Sequence, residues 1–259
     1  MAANKKTPEK LEPVLGIDIG GSGIKGALVD INRGVLVSDR LRIPTPEGAK
    51  PEDVANEVSD LVKQIKYEGV IGCGFPAVVL NGMVMTAANI DSTWIGKNVN
   101  DLLSVQTGQK VYVLNDADAA GMAEMSFGVG KDHQQGVVLM LTVGTGIGSA
   151  LFIDGKLVPN TEMGHMEIDG KDSEKVASDA VRKRKELTWK AWGKRLSDVI
   201  ARMEFLLWPD LIIIGGGVSK DADKFFPFLK VKAKIVPATL QNQAGIIGAA
   251  VYASSKISK

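Results

Sequence analysis

The sequence is poor in the groups that build cross-links and soft-metal sites. Cys73 is its one cysteine, so no disulfide can close within the chain. Only two histidines, His133 and His165, stand beside it, which excludes a Cys/His-rich zinc site. Neither charge sign is in excess. The 31 Lys and Arg against 30 Asp and Glu leave +1, which excludes a globally basic nucleic-acid binder. No run of 18 apolar residues occurs, so no membrane span is expected. The start is polar and has no apolar signal core, which points to a cytoplasmic protein with a flexible tail over residues 1–12. What the chain does have is apolar residues, 45%, enough to build a core, and 29 glycines.

The glycines punctuate short apolar runs. Val14 to Ile19 reads as a buried strand ending at Gly20-Gly21-Ser22-Gly23, followed by strands at Ala27–Val29 and Val35–Ile43. Val54, Val58, Leu61, Val62 and Ile65 recur at helical spacing after Pro51, predicting a helix over 51–66. A strand over Val70–Phe75, a hairpin turn at Asn81-Gly82 and a strand over Lys110–Leu114 precede a helix over 117–127. The second half alternates in the same way. Strands are expected at Val137–Val143, Ala150–Ile153, Leu211–Ile214 and Ile235–Val236. One or two helices are expected over 174–207, and a small-residue helix over Ala244–Ser254 closes the chain.

Two glycine turns echo each other. Gly21-Ser22-Gly23-Ile24, then Ala27-Leu28, matches Gly144-Thr145-Gly146-Ile147, then Ala150-Leu151, at a constant offset of 123 residues. Such an echo implies two related α/β halves with a cleft between two phosphate-binding hairpins. Gly21-x-Gly23-x-x-Gly26 also fits the literal dinucleotide fingerprint. That fingerprint needs a helix opening on the glycines, and the residues up to Pro44 leave no room for one. No G-x-x-x-x-G-K-[ST] occurs, which excludes a P-loop. A hairpin tip remains, whose bare backbone N–H groups can wrap a phosphate, with Ser22 and Thr145 as hydroxyl donors. Asp18, beside the first tip, can hold Mg²⁺ through waters or simply cap the turn. Gly215-Gly216-Gly217 is a third place of close approach, either for the donor or for a tight strand-to-helix turn.

Five motifs in order give the chain a recognisable outline: Asp18-Ile-Gly-Gly-Ser22, Asn115-Asp116-Ala-Asp-Ala-Ala120, Gly144-Thr-Gly-Ile-Gly148, Glu162-Met-Gly-His165 and Gly215-Gly-Gly-Val-Ser219. From about Val14 to Ala253 the chain resembles the ROK family of sugar kinases. Gly170-Lys-Asp-Ser-Glu174 and Arg184-Lys-Glu-Leu-Thr-Trp189-Lys-Ala-Trp192 look most like its polyphosphate glucokinases and glucomannokinases. The resemblance implies an α/β, two-domain actin-like (ribonuclease H-like) ATPase fold. A small domain would span 13–115, completed by a closing helix over 244–259, and a large domain 116–243. It further implies a homodimer, Mg²⁺, and phosphorylation of a hexose at its 6-hydroxyl. Many relatives hold zinc on one His and three Cys; with Cys73 alone that zinc is expected to be absent.

By the same resemblance Asp116 is the catalytic base, and Asn89, Asn115, Asp116, Glu162, His165 and Glu174 line the sugar pocket. A helix N-cap is the competing reading of Asp116 and of Asp118. The donor would lie against Asp18, Gly20, Gly21, Ser22, Gly23, Lys25, Thr142, Gly144, Thr145, Gly146, Gly215, Gly216 and Gly217. Between Lys171 and Arg202 ten basic residues face five acidic ones, on a chain of +1. Arg182, Lys183, Arg184 and Lys185 are either a track for a polyanion or an ordinary solvated helix face. The expected activity is transfer from inorganic polyphosphate to glucose, with ATP as second donor and mannose as second acceptor left open. The rivals are an ATP-only glucokinase and an exopolyphosphatase on the same fold. A sugar-responsive repressor would need a DNA-binding domain, for which the residues before Val14 leave no space.

Overall fold

The computed structural model describes residues 12–88 and 90–257. The sugar candidate Asn89, and the expected tail apart from residue 12, lie outside the described residues.

The first sheet opens with the antiparallel hairpin β1 (Val14–Gly20) and β2 (Gly23–Asp30); β3 (Val35–Leu36) and β4 (Leu41–Ile43) both pair with β2. Helix α1 (Pro51–Ile65) leads to β5 (Ile71–Phe75), then to the ribbon of β6 (Val79–Leu80) and β7 (Met83–Val84). Helix α2 (Val99–Thr107) and β8 (Val111–Asn115) follow, and the sheet order is β3-β2-β1-β5-β8, with β1, β5 and β8 parallel. Helix α3 (Asp116–Ser126) crosses to the second sheet, built from the hairpin β9 (Val137–Val143) and β10 (Ile147–Ile153) and the edge strand β11 (Lys156–Val158). A ribbon of β12 (Glu167–Ile168) and β13 (Lys171–Asp172) precedes three helices, α4 (Ser173–Ala177), α5 (Asp179–Arg184) and α6 (Trp189–Leu207). Then come β14 (Leu211–Gly215), α7 (Ala222–Phe225), β15 (Lys234–Pro237) and α8 (Ala244–Ile257), giving the order β11-β10-β9-β14-β15.

Alternation along the strands sets the layering. On β9, Val138 and Met140 face one core while Leu139, Leu141 and Val143 face another; Leu211 and Ile213 on β14 divide from Ile212 and Ile214 in the same way. Strands buried on both faces read as continuous apolar runs, as these do. Helices α1 and α2 cover the outer face of the first sheet, and α6 covers that of the second. Between the sheets lie α3 and α8, packed on each other, and one apolar cluster there takes Val14, Ala27 and Val29 from the first sheet and Met140 and Phe152 from the second. Small residues make that middle layer possible. A Cβ on Gly72 would collide with the Ala249 carbonyl, and one on Gly248 with the Ala119 carbonyl. Among the described residues no helix is long and apolar enough to cross a membrane.

Several elements depart from the sequence reading. The single strand expected over Val35–Ile43 breaks into β3 and β4, because residues 37–40 leave the sheet there, where Ser38 Oγ accepts from the Leu28 N–H at 2.9 Å. The stretch 174–207 is three helices: Ser178 caps α5 by accepting from Val181 N–H, and Thr188 caps α6 by accepting from Ala191 N–H. The echoing turns also differ. Gly20 pairs with Gly23 across a two-residue tip, whereas Val143 pairs with Ile147 across three residues.

Candidate active site

The two sheets bring their glycine tips to one cleft of about 530 Å³. Gly20, Gly21 and Ser22 line it from the first sheet, and Thr142, Gly144, Thr145 and Gly146 from the second. Asn115, Asp116, Glu162, His165 and Glu174 line the same cleft. Five of the six sugar candidates therefore meet, though they come from β8, α3, α4 and the segment between β11 and β12.

Asn115 and Asp116 owe their placement to the switch from β8 to α3. Asn115 is the N-cap: its Oδ1 accepts from the N–H of Ala117 at 2.8 Å and of Asp118 at 3.2 Å. The N-cap reading thus belongs to Asn115, and Asp116 stands at the first helical position with its carboxyl toward the cleft. Helix N-termini favour negative charge, and Asp116 Oδ1 accepts from Ala117 N–H at 2.8 Å. Burial outweighs that help. Together with the charge of Asp18 it pushes the Asp116 carboxyl up to about 7. Asp118 is not a cap either; it is buried, and its Oδ2 accepts from Asn160 N–H at 2.8 Å.

Among the sugar candidates, Asn115 Nδ2 donates to Ala77 O at 3.2 Å and to Glu162 Oε1 at 3.4 Å. His165 lies between carboxylates, with Nδ1 3.0 Å from Asp172 Oδ2 and Nε2 3.8 Å from Glu162 Oε2. The Asp172 carboxylate holds the imidazole above its ordinary value, while burial holds the Glu162 carboxyl above its own. Asp172 is also the N-cap of α4, where Oδ1 accepts from Glu174 N–H at 3.1 Å. One side chain therefore fixes both His165 and Glu174. The 165–174 segment is further closed by the tight turn of β12 and β13, in which Asp169 and Gly170 take positive φ.

Among the donor candidates, a smaller hollow of about 160 Å³ adjoins the cleft, and Asp116, Thr142 and Gly216 line both. Asp18, Lys25 and Gly215 line the hollow, with Lys25 Nζ 3.2 Å from Asp18 Oδ2. Two carboxylates and the Thr142 hydroxyl facing one hollow are oxygen donors of the kind Mg²⁺ accepts, and the upward push of Asp18 on Asp116 is what a cation there would relieve. Gly216 has φ +77°, and a Cβ on it would meet the backbone of Val143. It is thus the close approach of β14 to the second tip that demands glycine.

Some candidates fall outside this arrangement. Gly23 and Gly217 line neither hollow. The basic group also stands apart from the cleft lining, and it is partly neutralised: Arg182 and Lys183 both pair with Asp179, at 2.7 and 2.8 Å, and Arg182 lies 3.9 Å over the Trp189 ring. Its helix does begin at the second tip, where Ala180 N–H donates to Gly144 O at 3.1 Å. Sequence reasoning missed Pro76, Ala77, Thr86 and Ala88 on the acceptor side and Gln241, Asn242 and Gly245 on the donor side. Only Gly245 carried a signal, as a glycine at the start of a small-residue helix; a Cβ there would stand 3.1 Å from Asp18 Cγ.

Comparison with known proteins agrees with this geometry. The profile of the ROK family matches residues 14–183. A polyphosphate glucokinase of Mycobacterium tuberculosis (strain CDC 1551 / Oshkosh) is 47% identical over 237 residues, covering 91% of this chain and 89% of the relative. The crystal structure of an inorganic polyphosphate/ATP-glucomannokinase from Arthrobacter sp. strain KM superposes with a TM-score of 0.92 at 45% identity, over 95% of this chain and all of that one. A ROK family glucokinase from Streptomyces griseus, solved with glucose and AMPPNP, shares the fold at TM-score 0.81 and 23% identity, covering 94% of this chain and 99% of that one. The two sheets with their helices are thus the actin-like α/β architecture expected from the sequence.

Proposed function

The chain belongs to the ROK family, and from that premise we propose that it transfers a phosphoryl group from inorganic polyphosphate to the 6-hydroxyl of glucose. The observation that carries the reading is the place of Asp116, on the wall shared by the cleft that holds the sugar candidates and the hollow beside the donor tips. An alcohol is a poor nucleophile until its proton leaves, and a carboxylate within reach of both reactants can take that proton as the new bond forms. A base held near 7 suits this step better than an ordinary aspartate, since proton transfer is most effective when the base is matched to the working pH.

Asn115, Glu162, His165 and Glu174 read the sugar hydroxyls, each of which can donate and accept. The backbone amides of the Gly20–Ser22 and Gly144–Gly146 tips bind the phosphoryl oxygens. Asp18 holds Mg²⁺ through waters; when bound, the ion would neutralise charge on the moving phosphoryl group. The halves 13–115 with 244–259, and 116–243, close over the bound sugar and exclude water, which limits hydrolysis of the donor. The 47% identity to a polyphosphate glucokinase supports a bare phosphate chain as the main donor. Helix α5 opens at the second tip, so Arg182, Lys183, Arg184 and Lys185 offer that chain a path away from it. Mannose, which differs from glucose at one carbon, is the second acceptor, the chain is a homodimer in solution, and it acts in the cytoplasm.

The test crosses glucose or mannose with polyphosphate or ATP in Mg²⁺ and reads sugar 6-phosphate. Polyphosphate with glucose should be the fastest pair; phosphate release that needs no sugar would instead support an exopolyphosphatase. Neutralising Arg182, Lys183, Arg184 and Lys185 together should raise the polyphosphate KM about tenfold at low salt and leave the ATP KM within twofold, the gap narrowing as salt screens the charges. An unmoved polyphosphate KM places the path elsewhere.

A further inference from the structure

Asn160 lines neither hollow, yet its backbone N–H and both polar atoms of its side chain are engaged across the molecule. It follows β11 of the second sheet, in the left-handed region at φ +60°, which asparagine tolerates better than most residues. Its Oδ1 accepts from Val79 N–H at 3.0 Å, and its Nδ2 donates to Val79 O at 3.1 Å. The side-chain amide thus pairs with β6 as a neighbouring strand would, although β6 belongs to the other half of the chain. Its backbone N–H donates to Asp118 Oδ2, while Asp118 Oδ1 is buried with no hydrogen-bond partner among the described residues. A buried carboxyl with one oxygen unmatched costs stability, and the bond from Asn160 N–H offsets part of that cost. Two residues on, Glu162 lines the cleft; two residues before Val79, Ala77 lines it too and accepts from Asn115.

We propose that Asn160, backed by Asp118, is a positioning residue for the acceptor: it clasps β6 and so sets the Pro76–Ala88 wall of the cleft against Glu162. The inference rests on the glucose-kinase reading above. With the clasp intact, the wall and Glu162 move as one piece, and a sugar meets a site already shaped. Without it, the wall must be ordered at each binding event, and that cost falls on the acceptor alone, because the donor tips lie on other elements.

The experiment compares the wild-type chain with Asn160→Ala, Asn160→Gly and Asn160→Asp in steady-state kinetics with polyphosphate and glucose. Glycine keeps the left-handed backbone without the amide; aspartate keeps the acceptor for Val79 N–H without the donor. The glucose KM should rise about ten- to thirtyfold in the alanine and glycine variants and less in the aspartate variant, the loss expected of two neutral hydrogen bonds. The polyphosphate KM should stay within twofold. Amide exchange at Val79 should be faster in the glycine variant, which loses its acceptor, than in the wild type, and the smaller rise in glucose KM of the aspartate variant covers the case in which alanine and glycine fail to fold. A glucose KM within twofold in folded variants, equal rises in both KM values, or unchanged Val79 exchange each overturns the clasp. A wild-type chain that phosphorylates no glucose overturns the kinase reading, and with it the clasp.

Discussion

Asp116 is an acid under opposing forces. The helix start and its bond to Ala117 N–H favour the charged form, while burial and the neighbouring charge of Asp18 oppose it, and the opposition prevails at about 7. Since the base must be deprotonated to act, kcat/KM for glucose should rise with pH through an acid limb centred near 7. The limb should persist in His165→Gln, which separates it from the imidazole. His165 has its own test. Its midpoint is held above 6.5 mainly by Asp172, so Asp172→Asn should return the His165 titration, followed by NMR, toward 6.5 and raise the glucose KM severalfold. An unmoved midpoint would remove Asp172 from that role. At this scale the sequence was most legible where a residue type has few other uses, as in Asn-Asp at a strand-to-helix switch or glycine at a hairpin tip. Pro76, Ala77 and Thr86 escaped notice because their part is to offer backbone and shape, which no residue type announces.

Elements were legible where one face is apolar and caps mark the ends. Helix α1 has Pro51 in its first turn, Val54, Val58 and Leu61 facing inward and a left-handed Lys66 after its last turn, and it stands where its periodicity puts it. Helix α2 escaped because it buries only Val99 and Leu103, too few to show a period; its real signals are the Asn98 cap and Gly108. Elements also carry the pH behaviour of the fold. Asp118 ties α3 to the loop after β11, and burial pushes it from 3.8 up to about 7. A raised acid favours folding while protonated, so that contribution is complete below about 4 and disappears as pH rises to about 7. Asp118→Asn stands for the neutral acid. Its Tm should match wild type near pH 4 and exceed it by about 8–16 °C at pH 8, corresponding to about 4 kcal/mol. A wild-type Tm equal to the variant's at pH 8 would show that Asp118 ionises freely in the fold.

Across the whole molecule, the echo of two glycine turns was enough to foresee two similar sheets facing a cleft, because a glycine tip between paired strands constrains the chain on both sides of it. The middle layer was less visible. Helices α3 and α8 read as small-residue segments, and only the structure shows that their narrowness lets β5 and α3 approach α8 through Gly72 and Gly248. That packing joins both sheets in one apolar core around α3, the helix that begins with Asp116. The most direct measurement is single-turnover transfer from labelled polyphosphate to glucose, at saturating concentrations of both, in wild type and in Asp116→Asn. Asparagine keeps the size and the bond to Ala117 N–H while removing the base. The transfer rate should fall about 10²–10⁴-fold with glucose affinity, measured by calorimetry, retained. Transfer at the wild-type rate would contradict the assignment of Asp116 as the group that takes the proton.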